Sequence, residues 1–392
     1  MKPSLQQVLQ LSNLSDNYNS FSNSVLSKLQ NCRTSTMGYH YYQCTNPDCG
    51  HVHYQYHSCR NRHCPACNCL KQDQWMEARM NELLPVKYFH VVFTLPHELN
   101  ALVMGNRTVL FKLLFDSAIH CLLTLSRDKK WLGAIPSITA MLHTWGQQLS
   151  FHPHLHCIVS GGGVDKELNW HNLKKKSHQG FLFPYKVMEP IFKKHFLDYL
   201  NSMILLSEIE VKNRYDWQEL KNKLYQKQWI VYAKSPMGNA AQVVEYLARY
   251  AHKVAISNHR ILEVANNKVV FQYKDYNDHN KSKIMSLSVD EFVRRFEQHI
   301  LPKGFVKMRH YGILGNFMRK KRVNEILKKM KLPHHPPTVV IPYHLRLLEK
   351  YGVDIFLCPK CKKAKLELIE IVYPNIRGSP MPSAYSKFNS VA

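Results

Sequence analysis

The run Phe151-His152-Pro153-His154-Leu155-His156-Cys157-Ile158-Val159 reads as a β-strand that carries chemistry on one side. Side chains alternate faces along a strand, so His154 and His156 project together while Leu155 points into a core. Two imidazoles on one sheet face make half of a divalent-metal site, and a neighbouring strand must complete it. In Met141-Leu142-His143-Thr144-Trp145-Gly146-Gln147 the same alternation puts His143, Trp145 and Gln147 on one face. His143 is the first choice as third ligand and Gln147 the second. A lone His-x-His is common on exposed strands; the convergence of several His and a Gln through a hairpin makes this one a candidate site.

Outward from that hairpin, Tyr88–Leu95 reads as a buried strand ended by Pro96, and a helix is predicted from Arg107 to Leu125. Strands are predicted over Ser137–Trp145 and His154–Ser160, closed by Gly161-Gly162-Gly163. Val187–Leu206 and Trp217–Gln226 follow as helices, Trp229–Ala233 as a strand and Ala240–His252 as an amphipathic helix. Arg260–Tyr273 reads as a hairpin turning at Asn266-Asn267, and Asp290–Ile300 as a helix capped by Ser288 or Asp290. This alternation predicts an α+β fold with a central antiparallel sheet flanked by helices.

The 392 residues carry 53 Lys+Arg against 28 Asp+Glu, a formal charge of +25. A surplus that large calls for a polyanionic partner, most simply nucleic acid. The 45% hydrophobic content excludes a disordered chain. No run of 18 apolar residues and no signal-like stretch occurs, so no membrane partner is expected and the expected compartment is the cytoplasm. Arg319-Lys320-Lys321-Arg322 opens a basic helix reaching Lys331 and reads as a phosphate-tracking surface.

Seven of the eleven cysteines fall in the first 69 residues, among five histidines. That mixture favours metal over disulfides. Cys44 and Cys49 make one knuckle and Cys64 and Cys67 a second, so these four are expected to hold a structural Zn²⁺, with Cys59 and His63 as substitutes. Arg60 and Arg62 put positive charge beside the knuckle, where DNA would lie. Cys358-Pro359-Lys360-Cys361 is another half-site, whose partner would have to be His334, His335, His344 or an N-terminal thiol.

Gln242–Lys253 places Tyr246 and Tyr250 one helical turn apart. Such pairs are usually packing residues. Beside a metal-ready His pair they gain chemical meaning, because a metal-polarised phosphate lets a phenol attack. Arg249 or Lys253 would then neutralise the developing phosphate charge.

The His154-Leu155-His156 and Tyr246-x-x-x-Tyr250 elements resemble the two-tyrosine HUH endonucleases. The wider rows resemble the rolling-circle transposases of the insertion sequence 91 family: Ser58–Cys67, Phe89–Pro96, Leu142–Gln147, His152–His156, Ala255–Arg260 and Arg309–Gly312. The resemblance implies an HUH nuclease core, with the His pair on a central strand and a catalytic Mg²⁺ or Mn²⁺. It implies that a tyrosine nicks single-stranded DNA at transposon ends, keeps the 5′ phosphate and releases a 3′ hydroxyl. It also implies an N-terminal zinc-ribbon-like module that helps recognise those ends. The division expected is 1–84 for helix and zinc module, 85–300 for the nuclease and 301–392 for a basic helical region. No phosphate-binding Gly-x-x-x-x-Gly-Lys-Ser/Thr loop is present, so unwinding would need host replication or helicase proteins. The alternatives are a plasmid or phage rolling-circle replication initiator and a non-catalytic zinc-dependent DNA-binding protein.

Overall fold

Aromatic and β-branched residues of Tyr88-Phe-His-Val-Val-Phe-Thr94 form an inner strand of a five-stranded antiparallel sheet. The computed structural model describes residues 2–12, 18–67, 79–80, 82–173, 182–209, 211, 214–237, 242–243, 255–276, 278–315, 318–336 and 341–374. Strands are numbered along the chain. The sheet joins β3 (Tyr88–Thr94), β4 (Ser137–Trp145), β5 (Phe151–Ser160), β8 (Val231–Met237) and β12 (Met308–Gly312) in the order β12-β4-β5-β3-β8. The antiparallel α+β architecture expected from the alternation of elements is the one observed. The edge strand β12 comes from the segment that the sequence grouped with the basic region.

One face of this sheet is the core. Leu155, Cys157 and Val159 of β5, with Val91 and Phe93 of β3, are fully buried. They share a cluster with Phe111, Leu114 and Phe115 of the helix Arg107–Arg127 and with Phe192 and Phe196 of the helix Tyr185–Leu205. Burying such a side chain contributes roughly 2 kcal/mol each, so two helices on one face fix which way the alternate residues of β5 point. Among the described residues, Arg107–Arg127 is also the one helix long and apolar enough to cross a membrane by length and composition; its apolar face lies in this core.

The chain divides into two compact units, Met1–Leu26 with Arg62–Thr338, and Ser27–Asn61 with Val339–Ala392. The larger one also holds a short pair, β6 (Gly162–Val164) with β7 (Trp170–Asn172). A second sheet there has the order β11-β10-β9, from β9 (Ile261–Ala265), β10 (Lys268–Asp275) and β11 (Lys281–Ser288). The sequence predicts the first two as a hairpin and misses the third. The helix Val289–Glu297 follows, capped by Ser288, whose hydroxyl accepts from the Glu291 amide. In the smaller unit, β1 (Tyr39–Cys44) lies between β2 (Val52–Tyr56) and β13 (Leu366–Val372), so the C-terminal strand completes a sheet begun near the N-terminus. The predicted helix Ala240–His252 lies almost wholly outside the described residues.

His299 is 2% exposed, and burial pushes its imidazole down to about 4. Its Nε2–H donates to the Leu149 carbonyl and its Nδ1 accepts from Thr144 Oγ1. A histidine whose folded pKa lies below its unfolded value stabilises the fold above about pH 6.5 and loses that contribution as pH falls toward 4. Acidification over this window should therefore cost about 3 kcal/mol from His299 alone. The melting temperature should be flat from pH 7 to 8 and fall below 6.5, and His299→Gln should reduce that slope. An equal slope in the variant would show that another group is responsible.

Candidate functional site

The hydrogen-bonding register of β4 and β5 sets His143 directly opposite His154 and Met141 opposite His156. Because β5 alternates, His154 and His156 turn away from the helix-covered core on the same side as His143. One ring nitrogen from each of the three falls within 4.8 Å of the others. Ring centroids are 4.5 Å apart for His143–His156, 4.9 Å for His154–His156 and 5.5 Å for His143–His154. All three line one cavity of about 740 Å³, whose wall also takes residues from Trp145–Gln148, Tyr232 and Lys274–Tyr276.

The imidazoles are held in defined orientations. His154 Nδ1–H donates to the His152 carbonyl over 2.6 Å, which leaves Nε2 as its lone-pair nitrogen. Burial lowers His154 to about 4, so the ring is neutral at physiological pH, the form that ligates a metal. His156 Nδ1 lies 2.8 Å from His90 Nε2, and the two rings stack nearly parallel. His143 stacks on Trp145 at 4.6 Å, and Lys307 Nζ lies 4.9 Å from the centre of the Trp145 ring. Burial lowers that ammonium to about 7.

Gln147, the second choice for a ligand, is directed elsewhere: its Nε2 donates to Tyr276 Oη at 2.9 Å and its Oε1 accepts from the Lys274 amide at 3.5 Å. His90 was missed by sequence reasoning. It sits in Tyr88–Leu95, read as a buried strand, and its place two residues before Val92, which faces His156, puts it on the histidine face. Period-2 alternation applied to that strand would have found it.

The cysteines require a correction. The expected set Cys44, Cys49, Cys64 and Cys67 does not form. Cys44 and Cys49 instead gather with Cys358 and Cys361, all four within the smaller unit. The reason is strand pairing: β13 runs antiparallel to β1 and delivers the distant knuckle to the end where Cys44 sits. Neither named substitute, Cys59 or His63, belongs to that set, and burial lowers the imidazole of His63 to about 3.

The basic residues have mixed employment. Arg62 donates to the Phe305 and Pro302 carbonyls at 2.6 and 3.2 Å, so its guanidinium secures a loop. Arg319 pairs with the buried carboxylate of Glu82 at 2.8 Å. Arg60, Lys320 and Lys321 are exposed, and Arg322 is half-buried. Tyr246, Arg249, Tyr250 and Lys253 lie outside the described residues.

Three converging imidazoles in an open cavity on an antiparallel sheet, with a set of four thiols and a charge of +25, define a zinc-carrying protein that processes nucleic acid. Residues 137–322 match the family model described as "Putative transposase", and residues 4–95 match the "Transposase zinc-binding domain" of the insertion sequence 91 type. The chain is 38% identical to the "Putative transposase y4qJ" of Sinorhizobium fredii, over 91% of this chain and 90% of that protein. It is 29% identical to the "Transposase for insertion sequence element IS801" of Pseudomonas savastanoi pv. phaseolicola, over 86% and 80% of the two. The chain belongs to the insertion sequence 91 family of transposases, DNA-cleaving enzymes. No solved structure matches it.

Proposed function

We propose that this transposase nicks and rejoins single-stranded DNA by rolling-circle transposition, through a 5′-phosphotyrosine intermediate. In this reading Tyr246 and Tyr250 are the nucleophiles, and His143, His154 and His156 hold a Mg²⁺ or Mn²⁺. The observation that carries it is the meeting of three imidazole nitrogens within 4.8 Å in the wall of an open cavity. The bound ion would polarise the scissile phosphate. A tyrosine oxygen forms the new bond to phosphorus, the bond to the 3′ oxygen breaks, and a proton leaves the phenol while the 3′ oxygen gains one. The second tyrosine repeats the step while the first stays esterified. Arg249 and Lys253 neutralise phosphate charge, and the exposed Arg60, Lys320 and Lys321, with Arg322 beside them, track the strand at transposon ends and target, while Arg62 and Arg319 are engaged within the fold. The nuclease would occupy 85–300, between the zinc module of 1–84 and the basic region of 301–392, in the cytoplasm, with the host supplying unwinding.

The test is a denaturing gel of the protein with labelled single-stranded DNA from an element end. A covalent adduct with Mg²⁺ or Mn²⁺, abolished by EDTA, is expected. Tight binding without nicking would move the protein to the non-catalytic class. His90 acts as a positioning residue here, because it fixes the ring of His156 through the nitrogen turned away from the ion. Its replacement by Ala should weaken metal activation by about 10- to 100-fold, read as a shift in the metal concentration for half-maximal nicking. An unchanged metal requirement would remove His90 from the site.

A further inference from the structure

We propose that Cys44, Cys49, Cys358 and Cys361 bind one Zn²⁺, so that the zinc module is completed by the C-terminal segment. The matched zinc-binding domain stops at residue 95, and nothing in that match reaches the second knuckle. Cys44 Sγ is 3.7 Å from Cys361 Sγ, and Cys49 Sγ is 3.9 Å from Cys358 Sγ. Four thiolates at about 2.3 Å from a tetrahedral zinc lie about 3.8 Å from one another, and a disulfide would need about 2.0 Å. The spacing is therefore that of ligands sharing an ion.

Both halves are built alike. After Cys49 the chain turns through Gly50 at φ 53°, and after Cys361 it turns through Lys362 at φ 53°. The Gly50 amide donates to the Asn46 carbonyl at 3.3 Å, and the Lys362 amide to the Cys358 carbonyl at 2.9 Å. The Cys44 amide donates to His51 O and the Cys358 amide to Ala364 O, which closes each loop at its base. Thr45 N donates to Lys365 O at 3.0 Å and joins the two loops where β1 meets β13.

Energetics also call for an ion. The apolar cluster around the thiols consists of Cys44, Cys358 and Leu366, with Tyr42, Cys49, Cys361 and Ala364 packed against it. Outward from Leu366, Leu368 and Ile369 of β13 are exposed. So small a cluster supplies little hydrophobic stabilisation, and small domains of this kind are held by metal. Thiolate ligands alone suit zinc, and also iron.

The experiment measures metal content of the purified full-length chain by inductively coupled plasma mass spectrometry. Cys358→Ser with Cys361→Ser should lower zinc by one equivalent, and so should Cys44→Ser with Cys49→Ser. The fourfold variant should lose the same single equivalent, while Cys121→Ser, in the helical core, should lose none. Cys361→His keeps four ligands; loaded with Co²⁺ it should retain its metal and shift the visible spectrum from four sulfurs to three sulfurs and a nitrogen. Unchanged zinc in the Cys358/Cys361 variant, a loss of two equivalents in the fourfold variant, an unshifted cobalt spectrum, or iron in place of zinc would each overturn the assignment.

Discussion

A chain carrying His154→Ala and His156→Ala should form no covalent adduct with single-stranded DNA at any Mg²⁺ or Mn²⁺ concentration. Two of the three converging ring nitrogens are removed, and His143 alone cannot hold a hard, strongly hydrated cation. Metal stabilisation of the charge that builds on a phosphate is worth several kcal/mol, so nicking should fall by at least about a thousandfold. DNA binding should stay within about threefold, because the two substitutions remove no lysine or arginine from the basic surface. The fold should survive, since these side chains face the cavity and the core face of β5 is carried by Leu155, Cys157 and Val159. Tyr246→Phe with Tyr250→Phe should give the same null result on the gel for a different reason, with metal binding intact and no nucleophile. Gln147→Ala should cost less than tenfold, because its amide is engaged with Tyr276. An adduct formed at wild-type level by the double histidine variant would sink the nuclease assignment.

Local patterning carried far in this chain, and its limit can be placed. Strand β5 and the facing of His154 and His156 follow from period-2 alternation over a single stretch. His143 follows as well, because a short turn between Trp145 and Phe151 leaves few registers that keep both strands' apolar residues on the helix side. The cysteine partnership did not follow. Spacing rules see knuckles, but which knuckles meet is decided by the pairing of β1 with β13, across a separation of 309 positions from Cys49 to Cys358. Nothing local in Cys44–Cys49 distinguishes a partner at Cys64 from one at Cys358. Strand β12 was hidden for a similar reason. Met308–Gly312 is half-buried throughout, so it shows no apolar alternation, and its membership of the sheet depends on β4 having an open edge.

That edge supplies the second large expectation, in which Gly312→Ala destabilises the larger unit far more than Gly304→Ala. Both glycines have left-handed backbones, at φ +63° and +74°. Holding an alanine there costs about 1–2 kcal/mol in either place. At Gly304 a methyl group would meet nothing within 4 Å, so that is the whole effect. At Gly312 it would lie 2.0 Å from the Pro136 carbonyl oxygen and 3.3 Å from Ile135 Cγ2. The same oxygen accepts the Ile313 amide at 3.0 Å, so it cannot withdraw without breaking the bond that ends β12 against β4. Relief of the overlap adds about 1–3 kcal/mol, for a total near 4 kcal/mol. Unfolding in urea should show this as a lower midpoint at unchanged slope, with the Gly304 variant losing only about 1–2 kcal/mol. Nicking by the Gly312 variant at low temperature should remain within a few-fold of wild type, because His143 sits at the far end of β4 from Ser137, the residue paired with Gly312. Equal midpoints for the two variants would mean that β12 is not tied to β4 at Pro136, and the sheet edge would have to be redrawn.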